Sequence, residues 1–565
     1  MKLHNFIFYF LFVVMFVLMI GSNLNKSVMW DEPLYFVSGL YYLKDGQTFN
    51  SLQPILSSVI SAFPLLFLDV ELLPYSEINH IYNDARGKFL DYGSNNLDLI
   101  TFWSRIGSIL FSLVLAYYVY KWAKELYGEK AGLFALFLYT FCITILAWSV
   151  SANPDLLSAG LGFISFYYFW KYLNNNENKY LLICALLFGL SISAKITGLF
   201  MIFIFILAYI LFNSNISFNN FKKLGKVFFT FVILSFVVLT VVHVRDMRPF
   251  YDTNDVFYQA TTSKEYRSEQ RLEKILDQYF DSESKVRGVV KFSVTEMPVP
   301  GRNFLQALYS HMQGGGYKGR TTFLFGEWSI DQGTISYYFI LLLLKLPIAI
   351  LSFILLSFIF FRKCRNHNLK NEFYLLIPII LWLFMFIFVS KINSGIRHLI
   401  FILPFLFVFS SKIVNLKFKW RKTWTFVLYG LGIWLIIANL TTYPFYVSYF
   451  NEFVGKDGYK YLGSDNIDIG QDMKHIQKYM EINNIDRIKL HYHGLEKPEY
   501  RNINYELIDC TPTKGLIVIS AAVLQGASYN GNYREDGPDL TCYSWLYEHE
   551  PIDLIGGSIL VYDIK

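Results

Sequence analysis

The chain opens with NFIFYFLFVVMFVLMIG (residues 5–21), a run without charge, and WDEPLYF (residues 30–36) follows shortly after it. A run of this length approaches the roughly 20 residues that a helix needs to cross a bilayer. It exceeds the apolar part of about 7–15 residues found in signal peptides, and no clear cleavage site of small residues follows. We interpret it as a retained transmembrane helix, with a cleaved signal peptide as the alternative. The paired acids Asp31 and Glu32 then lie just beyond its end.

Long apolar runs separated by short charged segments continue along the chain. Of its 565 residues, 54% are hydrophobic and 17% are charged, whereas soluble proteins carry about a quarter charged residues. This composition excludes an ordinary soluble enzyme and predicts an all-α polytopic membrane domain. We predict about eleven transmembrane helices, near residues 5–21, 101–122, 131–150, 155–172, 180–193, 198–212, 227–244, 336–361, 373–390, 397–411 and 424–440.

Lysine and arginine are concentrated in alternate loops between these spans. With the N-terminus inside, the cytoplasmic loops include KWAKELYGEK (121–130), FRKCRNHNLK (361–370) and SKIVNLKFKWRK (411–422). All of these are basic, as the positive-inside rule requires of short cytoplasmic loops. An odd number of spans puts the C-terminus outside. Membrane orientation accounts for the basic excess, so the sequence gives no reason to expect a nucleic-acid partner.

The residues after the last span have a different composition. Residues 443–565 contain 11 Lys and Arg against 18 Asp and Glu. Strand-like runs RIKLHYHG (487–494), GLIVISAAVL (515–524) and GSILVYDI (557–564) surround helix-like QDMKHIQKYMEI (471–482), which predicts a small extracytoplasmic α/β domain at 443–565. Residues 1–442 form the transmembrane domain, with large extracytoplasmic loops at 22–100 and 245–332. Cys510 and Cys542 could pair in an extracytoplasmic tail.

Three acids are candidates for chemistry on the outer face: Asp31, Glu32 and Asp155. An acid before Pro33 often caps a helix, and Asp155 in SANPDLLSAG (151–160) also precedes an apolar helix, so capping and function stay open. Two adjacent acids repel each other, and ionisable groups at membrane level are costly and usually functional. On the predicted topology the three carboxylates open onto one face and could share one cavity.

Basic residues are predicted at span ends on the same face, namely Arg105, Lys195, Arg397 and His398. Snorkelling of a long side chain to the headgroups is the alternative, and it fits Lys195. Arg397 begins a span beside His398, and arginine there suits capture of a phosphate through two parallel N–H donors. A carboxylate that deprotonates an acceptor hydroxyl beside cations that stabilise a leaving phosphate indicates glycosyl transfer from a lipid carrier.

Several segments resemble one family in their order along the chain. They are WDEPLY (30–35), FWSRIGSILFSLVLAYYVYKWAKELYGEKAGLFAL (102–136), SANPDLLSAGL (151–161), SAKITGLF (193–200) and GIRHLIFILPFLFV (395–408). The order is similar to that of lipid-carrier-dependent glycosyltransferases of the GT-C superfamily, in the branch that includes protein O-mannosyltransferases and the lipid A aminoarabinose transferase. SYFNEFVGKDGYKYLGSDNIDIGQDMKHIQKYM (448–480) resembles a bacterial subgroup, which implies a bacterial inner or plasma membrane.

The resemblance implies an inverting transfer of a hexose or pentose from a polyprenyl-phosphate carrier to a protein, lipid or glycan acceptor. Asp31 would be the catalytic base, with Glu32 orienting the acceptor or the base and Asp155 supporting them. The phosphate or carrier contacts would be Arg105, Lys195, Arg397 and His398. Distant relatives hold a divalent metal with an Asp-x-Asp motif; the adjacent Asp-Glu here favours an enzyme without a metal or other cofactor.

Two other functions fit the same topology. A lipid or polysaccharide transporter would place its charges near the membrane midplane and often shows repeated halves, whereas here the charges lie at span ends and no repeat is seen. A polysaccharide polymerase or ligase with a different donor is separated from the first interpretation only by the resemblance of the acidic motif.

Overall fold

The computed structural model describes residues 3–47, 53–74, 77, 87–212, 218–249, 273, 276–281, 284–299, 301–312, 321–330, 333–364, 369–390, 392–416, 421–526 and 542–565. Helices of at least seven residues within these ranges are α1 Leu3–Asn25, α2 Glu32–Asp45, α3 Leu56–Ala62, α4 Leu97–Ser104, α5 Ile106–Tyr127, α6 Glu129–Phe141, α7 Ile143–Ser149, α8 Pro154–Asn175, α9 Asn178–Ala194, α10 Met201–Phe212, α11 Phe218–Val242, α12 Lys285–Thr295, α13 Arg302–Met312, α14 Tyr337–Lys345, α15 Ile348–Ile359, α16 Leu369–Phe384, α17 Ile402–Ser411, α18 Arg421–Thr442 and α19 Met473–Asn483. The strands are β1 Thr321–Leu324, β2 Glu327–Ile330, β3 Ile488–His491, β4 Tyr505–Leu507, β5 Gly515–Ser520, β6 Asp553–Ile555 and β7 Ile559–Ile564.

Apolar helices dominate the described part of the chain. Two bent pairs, α6 with α7 and α14 with α15, qualify as spans if each pair is counted as one. The prediction of several membrane-spanning helices is therefore confirmed, whereas the number eleven is not. The stretches long and apolar enough to cross a membrane alone are Leu3–Asn25, Leu97–Tyr127, Lys222–Val242, Leu369–Val389 and Lys422–Thr442.

The predicted span at 336–361 is not straight, because α14 and α15 meet at an angle of 114°. Leu346 is extended (φ −92°, ψ 138°), as expected for a residue before proline. The break leaves carbonyl groups at the end of α14 without helical partners. Asn451 binds three carbonyl groups there: its backbone N–H donates to Leu344 (2.9 Å), and its side-chain amide donates to Leu343 (2.5 Å) and Leu346 (3.0 Å). A segment after α18 thus stabilises the bend.

A five-stranded mixed sheet is formed by β3 to β7 in the order β4-β3-β5-β7-β6. Strand β3 pairs in parallel with β4 and β5, and β7 pairs antiparallel with β5 and β6. Helix α19 packs on this sheet through Met473, Ile476 and Met480. The three predicted strand-like runs and the predicted helix are confirmed, and Cys510 forms a disulfide with Cys542. The boundary of a separate domain at 443 stays a prediction.

The segment 463–471, which precedes α19, pairs with the chain just before α2. The backbone N–H of Ser27 donates to the carbonyl oxygen of Gln471 (3.0 Å), and that of Trp30 donates to Ile469 (2.9 Å). The Ser27 hydroxyl also accepts a hydrogen bond from the backbone N–H of Lys474 (3.0 Å). These contacts bring the segment 463–471 beside the paired acids.

Candidate functional site

Asp31 is the N-cap residue of α2, but its side chain makes no capping hydrogen bond within the described residues. Pro33 occupies the first turn, where its fixed φ favours helix initiation. The Asp31 carboxylate instead accepts a hydrogen bond from Nη1 of Arg397 at 3.1 Å. Its side chain is 31% exposed, so an incoming hydroxyl group can reach it. Of the two readings of this acid, the geometry disfavours capping.

Glu32 forms a buried ion pair with Arg105, which lies between α4 and α5. Its carboxylate accepts hydrogen bonds from Nε (2.7 Å) and Nη2 (2.6 Å) of Arg105. The backbone N–H groups of Met29 and Ala152 also donate to it, each at 2.9 Å. Both side chains of the pair are at most 1% exposed. The pair is buried, so the structure gives no support to the predicted contacts of Glu32 with an acceptor or of Arg105 with a phosphate.

Arg397 lies in a short 3-10 helix, Ile396–Leu399, between two carboxylates. Nη1 binds Asp31 at 3.1 Å and Nη2 binds Asp465 at 2.7 Å. The guanidinium carbon is 5.6 Å from the centre of the Trp148 ring, within the range of a cation–π interaction. Nε is buried and has no hydrogen-bond partner among the described residues. The guanidinium is thus held on two sides, each Nη atom pairs with one carboxylate, and Nε is the nitrogen without a partner among the described residues.

Asp465 belongs to the segment 463–471 and is held there by contacts other than the one to Arg397. Its Oδ2 accepts a hydrogen bond from the Ser394 hydroxyl at 2.9 Å. The neighbouring Asn466 accepts one from the backbone N–H of Ile396 at 3.2 Å. Gly395 has φ +88°, and a Cβ added there would lie 3.0 Å from Cβ of Asp465. Glycine at 395 therefore permits both the turn and the close approach.

Asp155 and Lys195 form a second ion pair beside this cluster, and both side chains are largely buried. Asn153, rather than Asp155, caps α8: its side chain accepts a hydrogen bond from the Asp155 backbone N–H at 3.1 Å. Asp155 also lies close enough to Arg397 to interact with it electrostatically. The Asp155–Lys195 pair and the pairs made by Arg397 therefore form one electrostatically connected group.

A small cavity of about 20 Å³ adjoins the Asp155–Lys195 pair and the Arg397 side chain. A space of this size holds about one water molecule, so a phosphate group enters only if side chains move. The His398 ring borders it and lies against Phe386, with ring centres 5.2 Å apart. The lining residues are Asp155, Ser158, Ala159, Lys195, Thr197, Met201, Trp382, Phe386, Arg397, His398 and Phe401.

The structure brings most of the predicted site residues together and separates two of them. Asp31, Asp155, Lys195, Arg397 and His398 lie in or beside the cluster, whereas Glu32 and Arg105 form the buried pair described above. Sequence reasoning missed Asp465 and Trp148. The available signal for Asp465 was the segment 448–480, which carries a family resemblance but contains several acids that its pattern does not distinguish.

Within the described ranges, no three His, Cys, Asp or Glu side chains are grouped closely enough to hold a metal ion. The polar groups that the cluster presents are carboxylates and cations already paired with one another. Carboxylates beside cations can transfer protons and bind anions.

Comparison with solved structures gives distant likenesses. The apo oligosaccharyltransferase of Archaeoglobus fulgidus matches at 14% identity and a TM-score of 0.42, over 81% of this chain and 56% of that chain. The A. fulgidus oligosaccharyltransferase AglB in complex with an inhibitory peptide and a dolichol-phosphate matches at 13% identity and 0.40, over 96% and 75%. ArnT from Cupriavidus metallidurans bound to undecaprenyl phosphate matches at 10% identity and 0.33, over 98% and 97%.

The chain thus spans little more than half the length of the first of these proteins. No curated protein matches the chain. Among protein families, the model described as dolichyl-phosphate-mannose-protein mannosyltransferase matches residues 101–242. This match covers the second half of α4 and all of α5 to α11, and it includes Asp155 and Lys195. The predicted resemblance to lipid-carrier-dependent glycosyltransferases of the GT-C superfamily is confirmed over this segment.

Proposed function

We propose that the chain is a membrane glycosyltransferase that moves a sugar from a polyprenyl-phosphate carrier to the hydroxyl group of an acceptor. The observation that carries this proposal is the partly exposed Asp31 carboxylate beside Arg397, with the Asp155–Lys195 pair next to it. A base that an acceptor can reach thus lies beside cations that can bind a phosphate. The family match over 101–242 supports the carrier-linked donor.

The proposed reaction is a single displacement at the anomeric carbon of the sugar. Asp31 takes the proton of the acceptor hydroxyl as its oxygen forms the new bond to that carbon. The bond between the carbon and the phosphate oxygen breaks from the opposite face, so the configuration inverts. The leaving phosphate departs as an anion, and Arg397 and Lys195 stabilise its charge. Asp155 holds Lys195 toward the site.

The proposed location of this chemistry is the outer face of the membrane, most simply that of a bacterial inner or plasma membrane. The Cys510–Cys542 disulfide supports this location for the tail, because disulfides persist in oxidising compartments and are rare in the cytosol. The tail contributes Asp465 to the cluster, so the site lies on the same side as the tail. The basic loops predicted on the other side agree with the positive-inside rule.

The test is a transfer assay with the purified full chain in lipid nanodiscs. Undecaprenyl- and dolichyl-phosphate sugars, labelled in the sugar, are offered with peptide, lipid and glycan acceptors. We expect Asp31→Asn to lower kcat by about 100-fold or more, since general bases typically contribute 10²–10⁴-fold. Asp457→Asn is the matched control because Asp457 is exposed and paired with Lys460 on the surface of the tail.

Full transfer by Asp31→Asn would remove Asp31 as the base. Absence of transfer with every donor, together with carrier movement across the bilayer of a liposome, would instead support the transporter. Analysis of the anomeric configuration of the product tests inversion separately, and a product with retained configuration would contradict the single displacement.

A further inference from the structure

The guanidinium of Arg397 is shared by two carboxylates. Asp31 occupies Nη1 and Asp465 occupies Nη2. Only Nε lacks a partner among the described residues, and the adjoining cavity has room for about one water molecule. A phosphate is larger than this cavity, so one that binds Arg397 through two parallel donors, the arrangement arginine favours, needs space that a carboxylate beside the guanidinium now fills.

The two carboxylates differ in how firmly they are held. Asp465 is 19% exposed and binds Arg397 at 2.7 Å. Asp31 is 31% exposed and binds Arg397 at the longer distance of 3.1 Å. Asp31 is thus the carboxylate that a phosphate displaces more easily.

Contacts around Asp465 keep it in place without Arg397. The Asn466 side chain donates to the Tyr337 hydroxyl at 2.9 Å, and that hydroxyl accepts from the backbone N–H of Gly395 at 3.1 Å. The backbone carbonyl oxygen of Asn466 accepts a hydrogen bond from the buried Lys345 ammonium at 2.6 Å. Asp465 therefore holds Arg397 from a fixed position, on the side opposite Asp31.

We propose that the phosphate of the donor replaces Asp31 on Arg397 and thereby releases Asp31 to act as the base, while Asp465 keeps Arg397 in position. This inference rests on the proposed function. A carboxylate paired with arginine is a weaker base than one without such a partner. Donor binding therefore precedes deprotonation of the acceptor, and Asp465 is a positioning residue, contributed by the tail.

Asp31→Asn should change the affinity for phosphate and the rate of sugar transfer in opposite directions. The probe is undecaprenyl phosphate without a sugar, titrated onto the full chain in nanodiscs. Asp31→Asn removes the competing charge, so we expect it to bind the probe about tenfold more tightly, the scale of one charged hydrogen bond, although transfer is lost. Arg397→Ala should bind the probe at least tenfold more weakly than the wild type. A general loss of structure would lower both binding and transfer.

Double variants test the role of Asp465. Asp31→Asn with Asp465→Asn keeps an oxygen that accepts from Nη2, so most of the gain in affinity should persist. Asp31→Asn with Asp465→Ala loses that acceptor, and we expect the gain to disappear. Equal or tighter binding by the alanine double variant would show that Asp465 is only a second competitor and would overturn its positioning role.

The possible results distinguish a failure of the carboxylate–phosphate exchange from a failure of the proposed function. If the wild type binds the probe and transfers sugar, but Asp31→Asn binds no more tightly, the exchange of carboxylate for phosphate is wrong and the proposed function stands. If the wild type neither binds the probe nor transfers sugar from any donor, both fail together. Asp457→Asn is the control again, and its affinity for the probe should equal that of the wild type.

Discussion

Asp31 and Glu32 are adjacent in sequence and differ in every contact that decides a role. Asp31 is partly exposed beside Arg397. Glu32 is buried, pairs with Arg105 and accepts two hydrogen bonds from backbone N–H groups. Glu32→Gln would leave the Arg105 charge buried without its carboxylate, which typically costs about 3–5 kcal/mol. We expect a clear fall in the thermal unfolding midpoint of Glu32→Gln, measured on the purified chain in nanodiscs.

The comparison that isolates this effect is Asp31→Asn, whose midpoint should stay close to that of the wild type. A second comparison replaces both buried charges, Glu32→Met with Arg105→Met, and should recover much of the loss because no unpaired buried charge remains. If Glu32→Gln has wild-type stability but fails to transfer sugar, Glu32 acts in the reaction itself and the prediction of a purely stabilising role is wrong.

Residue types and their place at span ends could be read from the sequence, but their partners could not. Asp31, Lys195 and Arg397 were predicted at one face by topology, and they lie in one cluster. The pairing of Asp31 with Arg397 joins residues 366 positions apart, and that of Glu32 with Arg105 joins residues 73 apart. Such pairings depend on which helix ends pack together, and neither periodicity nor charge pattern contains that information.

At the scale of elements, the segment 463–471 links the tail to the candidate site and contains a buried acid, Asp468. The backbone N–H groups of Gly470 and Ala522 donate to it at 3.1 and 3.4 Å. Burial, reinforced by the nearby Asp472, raises the pKa of Asp468 from 3.8 to about 7. Between about pH 4 and pH 7, Asp468 is therefore protonated in the folded chain and ionised in the unfolded chain.

The sign of the resulting pH dependence follows from this raised pKa. The contribution of Asp468 to the free energy of unfolding is most favourable below about pH 4, falls as the pH rises to about 7 and is constant above it. Asp468→Asn cannot titrate, so its midpoint relative to the wild type should rise between pH 5 and pH 8. Thermal denaturation at the two pH values measures this. A difference between variant and wild type that does not change with pH would contradict the prediction.

Bends in the helices show what hydropathy does and does not predict. Both α14 and α15 are apolar, so a hydropathy profile joins them into one span, although Pro347 signals that Leu346 will be extended. The 62° bend between α6 and α7 occurs at Cys142. No proline lies there, so the local sequence does not predict this bend. Strand-like runs in the tail were predictable because β5 and β7 are largely apolar with several β-branched residues, and β3 alternates apolar and polar residues.

At the scale of the whole molecule, the tail and the helical part share the candidate site. Ion pairs join them at a second place, where Lys474 and Arg501 of the tail bind Asp98 at the start of α4. Lys497 also binds Asp91 at 2.6 Å. Because Asp465 comes from the tail and Asp31 from the helical part, the site is complete only when both are present, and both must lie on the same side of the membrane.

This shared side gives a prediction for the topology. If the tail lies outside, a membrane-impermeant phosphine should reduce Cys510–Cys542 in intact cells, and a membrane-impermeant maleimide should then label both thiols. Cys142 and Cys184 are buried within the helical part and should not react. The control is the chain with Cys510→Ser and Cys542→Ser, which should lose the reduction-dependent label. Reduction-dependent labelling of the parent chain, absent from the double-serine chain, that occurs only after the cells are made permeable would place the tail, and with it Asp465 and the candidate site, on the cytoplasmic side.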